Sequence, residues 1–162
     1  MNQDYHRSTF RKSPNRPSQT TTWKPHFTHL TATAKVGRCA ENLVCHYLRM
    51  HGWTIRMRNF ETHRGEIDII AERMDADLKG YPTVAFVEVK SRTSRHGLSP
   101  EYSVTSAKRK KVTSTMKYWI GTHPFEKAVY RCDIASVIIE KHKSPRIQYF
   151  PSAFSPREQF GW

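Results

Sequence analysis

The sequence predicts an α/β layered domain built on a mixed β-sheet. Three observations lead there. Segments starting at Ala34 and at Ser106 repeat apolar residues at helical spacing. Four or five short runs rich in β-branched and aromatic residues lie between and after them. The order is helix, three strands, helix, strands, which suits helices layered on a sheet.

The first helix carries Ala40, Leu43, Val44, Tyr47 and Leu48 at i, i+3, i+4, i+7 and i+8, a single apolar stripe. Thr33 is placed to cap its start, and Gly52 sits where a terminating glycine belongs. WTIRMRNF (53–60) reads as a strand, and RGEIDIIAE (64–72) as a second, after a turn near Arg64 and Gly65. The polar connection RMDADLKGYP leads to a third strand, TVAFVEVKSRT (83–93). After SRTSRHGLSP, a second helix from Ser106 to Ile120 places Val112, Met116, Trp119 and Ile120 on one stripe. YRCDIASVIIE (130–140) is a fourth strand and RIQYF (146–150) a fifth. No internal repeat is visible.

The chain has 162 residues, enough for one compact domain and a tail. Its net charge of +13 calls for a polyanionic partner, nucleic acid first and an anionic membrane surface second. No apolar run approaches the roughly 20 residues of a membrane span, and no secretory segment is recognisable. Cys39, Cys45 and Cys132 lack metal-ligand spacing and read as reduced thiols of a cytoplasmic protein. Residues 1–32 are rich in Ser, Thr, Pro, Asn and Gln and read as a disordered basic tail. The domain is expected over 33–155, with a C-terminal tail over 156–162. The sequence leaves the oligomeric state open, a homodimer included.

Charged residues interrupt two of the apolar strands. Side chains on a strand alternate faces, so Val84, Phe86, Glu88 and Lys90 are expected to point the same way. In GEIDIIAE the same rule puts Glu66, Asp68 and Ile70 on one face and Ile67 and Ile69 on the other. A lone buried carboxylate is costly unless paired or bound to a metal. A buried Asp–Lys or Glu–Lys salt bridge would explain one such group. Three on adjacent strands of a basic protein favour a site for a hard divalent cation such as Mg²⁺ or Mn²⁺. Asp68 and Glu88 are its candidate ligands, the carbonyl of Val89 is a third, and Lys90 is placed to orient a water. Lys108 shares the apolar stripe of the second helix, and two readings stay open for it: gripping a phosphate or laying its stem over the core edge. Arg92, Arg95, Arg109, Lys110 and Lys111 read as a rim that contacts phosphates. Asp133 reads as the structural partner of a basic neighbour. On spacing alone, Glu41 is a solvated helix glutamate.

The spacing D-(x)n-ExK resembles the PD-(D/E)XK nuclease superfamily. More narrowly, the chain resembles the YraN-like family of small bacterial proteins. The matching stretches are GRCAENLVCHYL (37–48), RNF (58–60), RGEIDIIA (64–71), FVEVKSR (86–92), KRKK (108–111), RCDIASV (131–137) and AF (153–154). They span about residues 35 to 154. The resemblance implies a restriction-endonuclease-like fold, metal-ligand roles for Asp68 and Glu88, a catalytic role for Lys90 and a carboxylate near the site at Glu41. Ala40 stands where the family often has glycine, and Val44 and Met116 where it often has alanine; these changes concern helix packing. The expectation is a metal-dependent nuclease acting on DNA. The alternatives are a nucleic-acid-binding protein with little or no turnover, and a basic structural partner of ribosomes or of a helicase.

Overall fold

The computed structural model describes residues 32–74, 80–92, 104–123 and 127–155. Two helices and five strands follow in chain order: α1 (Ala32–Met50), β1 (Thr54–Thr62), β2 (Gly65–Met74), β3 (Pro82–Arg92), α2 (Ser106–Thr122), β4 (Val129–Ile138) and β5 (Arg146–Phe154). The strands form one sheet in the order β1-β2-β3-β4-β5. β3 and β4 run parallel, joined through α2; the other neighbours are antiparallel. This is the predicted α/β fold with a mixed sheet, and it is consistent with a restriction-endonuclease-like fold. The expected tails, Ala32 apart, lie outside the described residues, as does Arg95.

Each face of the sheet takes one helix. The stripe of α1, with Ala40, Val44 and Leu48 fully buried, packs on Ile69, Ala71, Ala85, Val87, Ala135 and Val137. On the opposite face Val112, Met116 and Trp119 of α2 meet Ile67, Ile70, Val84, Phe86, Cys132 and Ile134. β3 is thus covered on both sides, which explains its unbroken apolar run up to Val87. α1 ends in a left-handed turn: Gly52 has φ 79°, its N–H donates to the Arg49 carbonyl, and the Trp53 N–H donates to that of Leu48. Thr33 lies inside α1 rather than capping it, because the helix begins at Ala32. No helix among the described residues is long and apolar enough to cross a membrane.

The face alternation fails at one point that matters for function. Ile67 and Ile70 pack on the α2 side, whereas Ile69 and Ala71 pack on the α1 side. The face therefore changes at Asp68. Across the ladder, Arg58 pairs with Ile69 and Phe60 with Ile67, which leaves Asn59 opposite Asp68. Asn59 has φ 49°, a left-handed conformation that asparagine tolerates better than most residues. Both strands kink together, and Met57 and Phe60, three apart, join the same cluster. The kink corrects the expectation that Glu66, Asp68 and Ile70 share one face and Ile67 and Ile69 the other. Glu66 lies exposed at the start of β2. The β1–β2 turn abuts α2 at Gly65, φ 147°, where an added Cβ would stand 3.0 Å from the Lys111 Cβ.

Candidate active site

β2 and β3 part company at the kink. Their ladder runs from Met74 and Pro82 to Ile69 and Val87 and stops there. Asp68 Oδ2 accepts the Val89 N–H at 2.6 Å, standing in for the acceptor that the strand no longer supplies. The opening leaves a pocket of about 220 Å³, lined by Glu41, Asp68, Glu88, Val89 and Lys90 among others. Glu88 is 3% exposed. Its Oε1 accepts a hydrogen bond from Lys90 Nζ at 2.8 Å. Its Oε2 lies 3.1 Å from Lys108 Nζ, close enough to pair by charge but not aligned for a hydrogen bond. α1 brings Glu41 to the same pocket, with its Oε2 3.4 Å from Arg58 Nη2.

The surroundings set the acidity of Asp68. Burial pushes the Asp68 carboxyl up from 3.8 to about 7, and the negative charges of Glu88 and Glu41 add to the rise. The Val89 N–H and the Lys108 ammonium pull the other way without cancelling it. Near neutral pH the pocket can therefore take up a proton or a cation at modest cost. Carboxylates on one wall and an ammonium beside them suit chemistry in which negative charge builds up on a bound group.

Lys108 leaves the stem-over-core reading incomplete, because its ammonium reaches a site carboxylate. Arg92 ends β3, half-buried. Arg109 is drawn inward: its Nε donates to the Val104 carbonyl at 3.0 Å and its guanidinium lies 5.6 Å from the Phe154 ring centre. Lys111 is exposed where α2 backs onto Gly65. Asp133 is fully buried, with Arg131 Nε, Tyr149 Oη and the Ser152 N–H all donating to it, in keeping with a structural role. Sequence reasoning missed Arg38, Asn42, Arg58 and Asn59, which line a second cavity beside Glu41. The RNF run held a clue, since asparagine inside a strand pattern marks a candidate left-handed residue.

A family model described as uncharacterised protein family UPF0102 matches residues 40–137. The chain belongs to the UPF0102 family. The match takes in α1 from Ala40, the whole of β1 to β3, α2 and most of β4, and so every carboxylate and lysine of the pocket. A UPF0102 protein of Geobacter metallireducens is 34% identical over 119 residues, 74% of this chain and 91% of its own length. One from Caldicellulosiruptor bescii is 36% identical over 122 residues, 74% of this chain and 97% of its own. One from Parafrankia sp. is 30% identical over 126 residues and is covered in full. UPF0102 membership bears out the resemblance to the YraN-like family.

Proposed function

We propose that the protein is a metal-dependent nuclease that hydrolyses phosphodiester bonds in DNA. The observation that carries this reading is the shared pocket of Asp68, Glu88 and Lys90 where β2 and β3 separate. The net charge of +13 supports a nucleic-acid substrate.

A divalent cation fits the chemistry of the pocket. Asp68 is a half-buried carboxyl held at raised pKa by its surroundings, and Glu88 Oε2 is a buried oxygen with no hydrogen bond. Among the described residues no three His, Cys, Asp or Glu side chains converge closely enough to cage an ion. The protein's share would be Asp68, Glu88 and the Val89 carbonyl, with water and phosphate oxygens completing the shell. Mg²⁺ is commonly held in that way, by one or two carboxylates plus substrate phosphate. Bound there, Mg²⁺ or Mn²⁺ would supply Lewis-acid stabilisation of phosphate charge and make a water more acidic. Lys90 orients the attacking water and offsets charge on the phosphate. Glu41 supports the pocket from α1 and holds Arg58 at its border.

The test is Mn²⁺-dependent cleavage of linear, circular and branched DNA, with calorimetry on variants. Asp68→Ala should lose cleavage and weaken Mn²⁺ binding. Lys90→Ala should lose cleavage with metal binding largely intact. Equal Mn²⁺ affinity in Asp68→Ala and the parent would sink the ligand assignment. A second reading, nucleic-acid binding without turnover, draws on the two lysines already standing 2.8 and 3.1 Å from the Glu88 oxygens. Its signature would be DNA binding with no Mn²⁺-dependent product on any of the three substrates.

A further inference from the structure

A second cavity, of about 370 Å³, adjoins the carboxylate pocket, and Glu41 borders both. Its other walls are Arg38 and Asn42 from α1 and Arg58 and Asn59 from β1. Positions 38, 41 and 42 fall on one helix face by spacing. Regular strand alternation would send Arg58 and Asn59 to opposite faces. Instead both are exposed in succession, and left-handed Asn59 makes that possible. An unusual backbone maintained at one point of a sheet is a pointer to function.

Three polar side chains of this cavity have no partner among the described residues. Arg38 has no ion-pair partner, and the carboxamides of Asn42 and Asn59 make no hydrogen bond, among the described residues. Arg58 has its 3.4 Å contact to Glu41. Guanidinium groups match phosphate oxygens in pairs of N–H donors. Carboxamides offer a donor and an acceptor together, the pattern that reads the edge of a nucleobase. The volume lies within the range of about 300–1,000 Å³ typical of small-ligand pockets, more than a lone anion would fill.

We propose that this cavity is a nucleotide subsite. It takes the nucleotide unit adjoining the phosphate bound at Asp68 and Glu88, with its own phosphate on Arg38 and Arg58 and its base edge on Asn42 and Asn59. The assignment rests on the nucleic-acid reading of the neighbouring pocket.

The test is an NMR titration of the full chain with thymidine 5′-monophosphate, inorganic phosphate and thymidine, in a chelating buffer. The nucleotide should shift the side-chain amide signals of Asn42 and Asn59. Arg38→Ala should weaken its binding about tenfold, as expected for loss of one charged hydrogen bond. Asn59→Gly, which keeps the left-handed backbone, should weaken it while leaving the rest of the spectrum in place. Lys141→Ala, an exposed lysine outside the cavity, should bind as the parent does. Parent-like affinity in Arg38→Ala, or no shift at Asn42 and Asn59, overturns the proposal. So does phosphate binding as tightly as the nucleotide, which would mark an anion site only. With no metal and no turnover in the tube, an inactive protein can still pass this test. Conversely, a protein that cleaves DNA but fails it loses the subsite and keeps the nuclease reading.

Discussion

Replacing Asp68 with Asn should stabilise the metal-free protein, and the gain should depend on pH. The folded chain holds the Asp68 carboxyl at a pKa of about 7, against its ordinary value of 3.8. Between those two values the folded state keeps a proton that the unfolded chain releases. Stability therefore falls as pH rises through that window, and the full cost applies above it. Each unit is worth about 1.36 kcal/mol, so the ceiling is about 4 kcal/mol. Asp68 is only partly buried, so solvent screening brings the expected gain nearer to about 2 kcal/mol. Asparagine retains an oxygen to accept the Val89 N–H, so that bond survives the change. Urea unfolding in chelating buffer should give parent and Asp68→Asn similar stability near pH 4 and a gap that widens to about pH 8. Mn²⁺ should then stabilise the parent and not the variant, by about 2.7 kcal/mol at a hundredfold excess over Kd. A gap that is constant with pH, or a variant less stable than the parent at the alkaline end, would refute the electrostatic reasoning.

Three further outcomes follow from the packing around the site. Lys108→Ala should slow single-turnover cleavage about tenfold or more, because its ammonium sits at the Glu88 carboxylate, where the proposed nuclease reading would have charge develop. Lys110→Ala, exposed on α2, should only weaken DNA binding slightly, and matching cleavage rates in the two variants would remove Lys108 from the site. Asp133→Ala should cost about 3 kcal/mol in urea unfolding, since the donors on Arg131, Tyr149 and Ser152 lose a buried acceptor; a loss under about 1 kcal/mol would contradict this. Asn59→Val should lower stability by about 1–3 kcal/mol because a β-branched residue is strained at φ 49°, whereas Asn59→Gly should not; equal melting points would show that the kink carries no strain.

The helices and the inner strands were legible because burial writes a period into the sequence. The stripe from Ala40 to Leu48 lies on the sheet as spacing required, and Gly52 ends α1 with the positive φ that glycine permits. Glu88 and Lys90 were found because charge inside an apolar run is expensive and so seldom accidental. The kink was only hinted at: Phe60 follows Met57 by three where Ile55 and Met57 are two apart, and that break alone does not say which residue turns left-handed or that Asp68 changes face with it. One left-handed residue at Asn59 re-aims Asp68 and places Arg58 and Asn59 side by side, so the second cavity was hidden with it. β5 also extends past the expected RIQYF to Phe154, through Pro151 and Ser152, residues that signal a strand end when read locally. Its pairing with β4 holds it in the sheet, as Cys132 lies opposite Phe154.

Glu88 places a condition on how any lysine variant is interpreted. At 3% exposure its carboxylate is costly to bury unpaired, and Lys90 and Lys108 supply partners from β3 and α2. Both ammonium groups therefore have a structural duty whether or not the pocket turns over substrate. Removing either one leaves a buried carboxylate short of a partner, so slower cleavage alone could come from a poorly formed pocket. The pairings also join the two halves of the fold across the pocket, since Lys108 stands at the first turn of α2 and Glu88 at the mouth between β2 and β3. A catalytic role for Lys90 is established only where cleavage falls further than the folded fraction does. A bound divalent cation could neutralise Glu88 in place of the lysines, so added Mn²⁺ should restore the stability of Lys90→Ala without restoring its cleavage. If metal restored both, the lysine would be a structural counter-charge and no more.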